Sequence, residues 1–121
     1  MKNENLEKGK KGEDLAWEYL AGQGYRLLER NLHWGHLELD LVVENDDFIV
    51  FVEVKARKNN LFGDPESFVT LQKQRNMIRA ANGYVQKNGI RKEVRFDIVS
   101  VILDEGQGSV THIQDSFKPS W

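Results

Sequence analysis

Two apolar runs separated by one turn-forming cluster constrain this chain more than any other feature. His36-Leu37-Glu38-Leu39-Asp40-Leu41-Val42-Val43 and Phe48-Ile49-Val50-Phe51-Val52-Glu53-Val54-Lys55-Ala56-Arg57 read as strands, and Asn45-Asp46-Asp47 is the only turn-forming cluster between them. They are therefore predicted to pair as an antiparallel hairpin. If Asp46 and Asp47 form a two-residue loop, Asn45 faces Phe48 and opposed residue numbers sum to 93, a register that a four-residue loop also gives. Asp40 then lies opposite Glu53, and Glu38 opposite Lys55. Directly opposed residues share a face with Cβ atoms roughly 5 Å apart, so four ionisable side chains converge on one patch. Leu37, Leu39, Leu41, Val50, Val52 and Val54 are expected to form the apolar face. An odd-length loop would send one strand's charges to the other face.

Two carboxylates at that separation repel unless something positive lies between them. Mg²⁺ or Mn²⁺ meets the need, because hard divalent ions take one or two carboxylates and complete an octahedron with water and phosphate oxygens. Such a site suits a metal-dependent phosphodiesterase in which Asp40 and Glu53 hold the ion. Lys55 would then orient or deprotonate the attacking water, or stabilise charge developing on phosphorus, and the sequence does not choose between these roles. The competing account of the same four residues is a solvated sheet face with cross-strand ion pairs.

An ordered series of short motifs weighs on that choice. Gly12-Glu13-x-x-Ala16, Tyr19-Leu20, Gly24-Tyr25, Arg30-Asn31, Glu38-Leu39-Asp40-Leu41, Phe51-Val52-Glu53-Val54-Lys55-x-Arg57, Phe62-Gly63, Val69-Thr70-x-x-Lys73-Gln74, Ala80-Ala81 and Arg95-Phe96-Asp97 follow one another from about Gly9 to Val101. This series resembles the YraN-like family of small bacterial proteins. That family is similar to the Holliday-junction resolvases and belongs with the PD-(D/E)XK nucleases, which implies a restriction-endonuclease-like α/β fold with a central mixed sheet flanked by helices. The resemblance matches Asp40 to the motif's aspartate, Glu53 to its second acid and Lys55 to its lysine. It matches Glu13 to the helix-one glutamate that resolvase-type relatives bring to the same site. Leu39 stands where the motif has proline, and Leu37 where many family members have glycine. The implied substrate is structured or branched DNA, and resolving a two-fold-symmetric junction would favour paired sites in a homodimer.

Charge is distributed in keeping with a polyanionic partner. The net charge is −2, yet residues 55–95 hold ten basic side chains against three acids, and the remainder holds seven against sixteen. A basic surface beside a carboxylate cluster can hold flanking phosphates while the acids hold metal. Arg57, Lys73, Arg75 and Arg79 are the candidate phosphate contacts, and Glu38 and Gln72 the candidate supporting residues at the site. A solvated basic helix is the alternative for the same segment.

At 121 residues the chain is expected to be one domain spanning 1–121. Its helices and strands are predicted in the order α-β-β-β-α-β-β: a helix over 4–21, a short strand over 25–30, the hairpin, a loop over 58–68, a helix capped by Thr70 and ending near Asn88-Gly89, and strands over 95–103 and 109–115. Leu71, Ile78, Ala81 and Val85 recur on one face of the second helix. The absence of cysteine, of a long apolar run and of an apolar segment after the charged first residues predicts a cytoplasmic protein without a membrane span. His33 and His36 have zinc-like spacing, but no cysteine or third nearby histidine completes a shell. His112 is expected to be structural, and Asp97 either joins the carboxylate site or pairs with Arg95. Trp34, Phe62 and Trp121 could stack on bases, although packing is the default for each. The expected function is a metal-dependent nuclease. The rivals are a non-catalytic nucleic-acid-binding accessory module and a protein-interaction domain with a relict site.

Overall fold

The computed structural model describes residues 3–58, 69–104 and 107–118. Its elements are α1 (Asn3–Gly22), β1 (Arg26–Trp34), β2 (Leu37–Glu44), β3 (Phe48–Arg57), α2 (Leu71–Lys87), β4 (Glu93–Asp104) and β5 (Gln107–Ile113). The five strands form one sheet in the order β1-β2-β3-β4-β5. All neighbours are antiparallel except β3 and β4, which run parallel and are joined through α2. This is the mixed sheet and element order of the restriction-endonuclease-like fold. Among the described residues, no helix is long and apolar enough to cross a membrane. Most of the expected loop, with Phe62, and Trp121 at the chain's end lie outside the described residues.

The hairpin has the expected register: Leu41, Val42, Val43 and Glu44 face Val52, Phe51, Val50 and Ile49. Asn45 fixes the turn, its Oδ1 accepting from the N–H groups of Asp47 at 3.0 Å and Phe48 at 2.8 Å. The apolar residues do not share a single face as expected. Ala16 and Leu20 of α1 pack on Leu41, Val43, Val50, Val52, Val99 and Val101. On the other side Met77, Ile78, Ala80, Ala81 and Tyr84 of α2 pack with Leu37, Leu39, Val42, Ile49, Phe51 and Phe96. Both faces are buried because the parallel β3–β4 connection lays α2 across the side that α1 leaves open. Leu39 therefore contacts the α2 layer and Leu41 the α1 layer, so β2 changes face at Asp40. Opposite that point Asn31 has a positive φ of 53° and is absent from the β1–β2 register. The irregularity allows the end of the β1–β2 ribbon to curl over α2.

Local chemistry sets the helix ends. Gly24, with φ of 94°, lets the Tyr25 N–H return to the Leu20 carbonyl at 3.1 Å and closes α1. Thr70 caps α2, its Oγ1 accepting from the Lys73 N–H at 3.1 Å. Leu71, expected on the apolar stripe, is instead 67% exposed. It occupies the first turn of α2, ahead of the residues that meet the sheet. Trp34 packs its indole over Gly83 of α2, with Lys87 Nζ 5.9 Å from the ring centre. Packing thus claims this ring, where base stacking had been the alternative.

Gly12 permits the close approach of α1 to β3. A Cβ at this position would lie 2.5 Å from the Ala56 Cβ, which is attached directly to strand backbone and cannot swing aside. Gly12→Ala is therefore expected to destabilise by about 1–3 kcal/mol, although alanine is the better helix former by about 1 kcal/mol. Denaturant midpoints check the sign. A stabilised variant would show that α1 can lift from β3 without penalty.

Candidate functional site

The site is built where the β2–β3 ladder stops. Beyond Leu41 and Val52 the strands no longer exchange ladder bonds, and the Asp40 carboxylate accepts the Val54 N–H at 2.9 Å. That bond holds the Asp40 carboxylate at the backbone N–H of the residue next to Glu53, close enough for the two acids to act on each other. Asp40 is pushed up to about 8, first by burial and then by the negative charge and hydrogen bond of Glu53, while the Val54 N–H acts in the opposite direction. Glu13 also adds negative charge toward Asp40.

Glu53 is almost completely buried, its side chain 5% exposed. Lys55 Nζ and Lys73 Nζ both lie 3.5 Å from its Oε2. Lys55 comes from the same strand two residues on, and Lys73 from the first turn of α2. Glu13 reaches the site from α1 and is held by Arg30 of β1, whose Nε lies 3.2 Å from Glu13 Oε1. The same guanidinium binds Asp14 Oδ1 at 2.5 Å, so Arg30 fastens α1 to β1 beside the acids.

The other candidate residues divide between the site and the surface. Arg57 is partly buried two residues beyond Lys55 on the same strand. Arg75 and Arg79 are exposed one turn apart on α2. Gln72 is exposed and donates to Asn76 Oδ1 at 3.0 Å along the helix. Glu38 lies opposite His33 on β1, 3.8 Å from its Nε2, rather than opposite Lys55. The cause is the same early end of the β2–β3 ladder, which leaves β1 as the neighbour of this part of β2. Sequence reasoning placed Lys73 among the outer phosphate contacts and gave Arg30 no role. The Thr70-x-x-Lys73 spacing was the available signal for Lys73, since a capping threonine fixes where the first helical turn begins.

Asp97 is fully buried away from this group, bound by Arg95 through Nε and Nη2 at 2.9 Å each, by His112 Nε2 at 2.7 Å and by the Asp115 N–H at 3.0 Å. It is therefore the ion-pair partner of Arg95, and His112 is structural. A recess of about 440 Å³ lies between Phe48, Val94, Phe96 and Phe117, at the opposite end of β3 from Glu53 and Lys55.

Chemically, the acids offer hard oxygen donors of the kind that Mg²⁺ or Mn²⁺ takes. Among the described residues no group of three His, Asp or Glu side chains is arranged to hold a metal. The donors fit an ion that takes two carboxylates and keeps water in its other positions.

Over residues 12–101 the chain matches Uncharacterised protein family UPF0102. It belongs to that family. A UPF0102 protein of Syntrophomonas wolfei is 46% identical over 114 residues, covering 93% of this chain and 99% of the relative. UPF0102 proteins of Bacteroides thetaiotaomicron and Chloroherpeton thalassium are 43% and 39% identical, each covering 96% of this chain and 96% and 97% of the relatives. UPF0102 is the YraN family to which the motif series pointed, and the matched span takes in every residue of the candidate site.

Proposed function

We propose that this UPF0102 protein is a metal-dependent nuclease that hydrolyses phosphodiester bonds, with structured or branched DNA as its substrate. The observation that carries this reading is the meeting of Asp40 and Glu53 at the end of a ladder, with two lysine ammonium groups on the Glu53 carboxylate. A solvated face of ion pairs accounts poorly for it, because Glu53 is buried and Asp40 is held toward its neutral form. Asp40 and Glu53 would hold Mg²⁺ or Mn²⁺. Once bound, that ion supplies Lewis acidity at the phosphate and acidifies a bound water. Lys55 stands within reach of the same carboxylate and acts on the attacking water or on the charge gathering at phosphorus. Arg30 keeps Glu13 oriented at the edge of the acids.

Calorimetry with Mg²⁺ and Mn²⁺, followed by incubation with linear, single-stranded and four-way-junction DNA, tests the reading. Asp40→Ala should lose metal binding, and equal affinity in wild type and variant would remove the assignment. A wild-type protein that binds DNA and cuts none of these forms with either metal would favour the accessory binding module. Arg75 and Arg79, exposed on α2, are expected to contact phosphates outside the site. Replacing either with alanine should weaken binding to all sequences alike and reduce the salt slope by about one. An unchanged slope places the contact surface elsewhere.

A further inference from the structure

Glu53 has one more cation than the nuclease motif requires. Lys55 already supplies the lysine of Glu-x-Lys, yet Lys73 Nζ reaches the same Oε2 at the same 3.5 Å. Lys73 comes from a different element, and its backbone is fixed by the Thr70 cap. Its side chain remains 38% exposed, against 5% for Glu53, so the ammonium group lies between a buried acid and solvent. The two lysines supply positive charge at the buried Glu53 carboxylate.

A divalent ion bound at Glu53 would repel both ammonium groups from that oxygen. Each has a flexible four-carbon stem and strong hydration, so release toward the open side is easy. The ligand arriving on that side is a phosphate diester, which presents anionic oxygens. We propose that Lys73 is a second catalytic lysine: it pairs with Glu53 until a divalent cation takes that carboxylate, then moves to a non-bridging oxygen of the scissile phosphate. The inference rests on the nuclease reading and adds to it an exchange of lysine for metal at one oxygen.

The test uses Lys73→Met, which keeps the apolar stem and removes the charge, with Lys73→Arg as the conservative variant. Calorimetry with Mn²⁺ alone should show about three- to tenfold tighter binding to Lys73→Met, because the competing cation is gone. Single-turnover cleavage at saturating protein and metal should fall about 10²-fold, with partial recovery in Lys73→Arg. Melting curves without metal confirm that both variants are folded. Unchanged or weaker Mn²⁺ affinity in Lys73→Met would overturn the proposal. Tighter Mn²⁺ binding with unimpaired cleavage would leave Lys73 a charge partner of Glu53 and remove it from the phosphate. A wild-type protein that cuts no DNA form would overturn the nuclease reading, and Lys73's catalytic role with it. An active wild type beside a fully active Lys73→Met would overturn the Lys73 role alone.

Discussion

Lys55→Ala is expected to lower single-turnover DNA cleavage by about 10²-fold or more while leaving DNA affinity nearly intact and metal affinity undiminished. The structure makes this variant informative, because Glu53 retains Lys73 at 3.5 Å when Lys55 is removed. The acid is not left as an uncompensated buried charge, and the cost in stability should stay within about 1 kcal/mol, as for a partly exposed ion pair. A large loss of rate with a small loss of stability assigns Lys55 to the reaction. If Lys55 were only an ion-pair partner, the melting curve would shift slightly and the rate would stay put. Both measurements must be made on the same preparation.

Asp97→Ala is expected to destabilise the fold by about 3–5 kcal/mol, because it breaks a buried pair from one side. Asp97 is fully buried, and Arg95, 10% exposed in its side chain, would lose both of its charge-assisted bonds to that carboxylate. His112 and the Asp115 N–H would lose an acceptor as well. For a domain of this size the melting temperature should fall by about 10–25 °C. Arg95 would retain its bond to the Tyr25 hydroxyl and its positions 4.8 Å over the Phe48 ring and 5.7 Å over the Tyr25 ring. Burial alone would raise the Asp97 carboxyl, but hydrogen bonds from His112 and Arg95 outweigh it and hold the group below its ordinary value. Its contribution to stability is therefore present above the unfolded pKa of 3.8 and is lost as pH falls through the lower folded value. Asp97→Ala should lack this part of the acid sensitivity. Melting within a few degrees of the parent would show that the network tolerates its central acid being absent.

Much of the architecture was legible because it depends on short-range chemistry. The Asn45 turn set the register from Leu41 to Glu44, and Thr70, Gly24 and Gly89 marked helix ends through capping. The proximity of Asp40 to Glu53 followed from the same register. What was not legible depends on contacts between distant elements. The face change at Asp40 needs the irregularity at Asn31 on the neighbouring strand, so strict alternation wrongly grouped Leu37 and Leu39 with Leu41. Glu38 was assigned to Lys55 because nothing in the hairpin shows where its ladder ends. Lys73 turns inward and Arg75 outward because of how α2 is rotated on the sheet, which the helix sequence alone leaves open. Trp34 went to Gly83 because a glycine in mid-helix offers a flat seat for a ring, a match visible only once the two elements meet.

The central parallel ladder carries a further consequence, for when the site can exist. β3 aligns with β4 from Phe48 opposite Glu93 to Arg57 opposite Ile102, across the whole of α2. A nascent chain halted before Glu93 already contains Asp40, Glu53, Lys55 and Lys73, yet lacks the strand against which β3 is held. Closing that long loop is slow relative to forming the hairpin or the helices. Amide hydrogens in β3 should accordingly exchange with solvent only through global unfolding. The carboxylates are thus brought into order late in synthesis, and a partly made chain holds these residues without the assembled site.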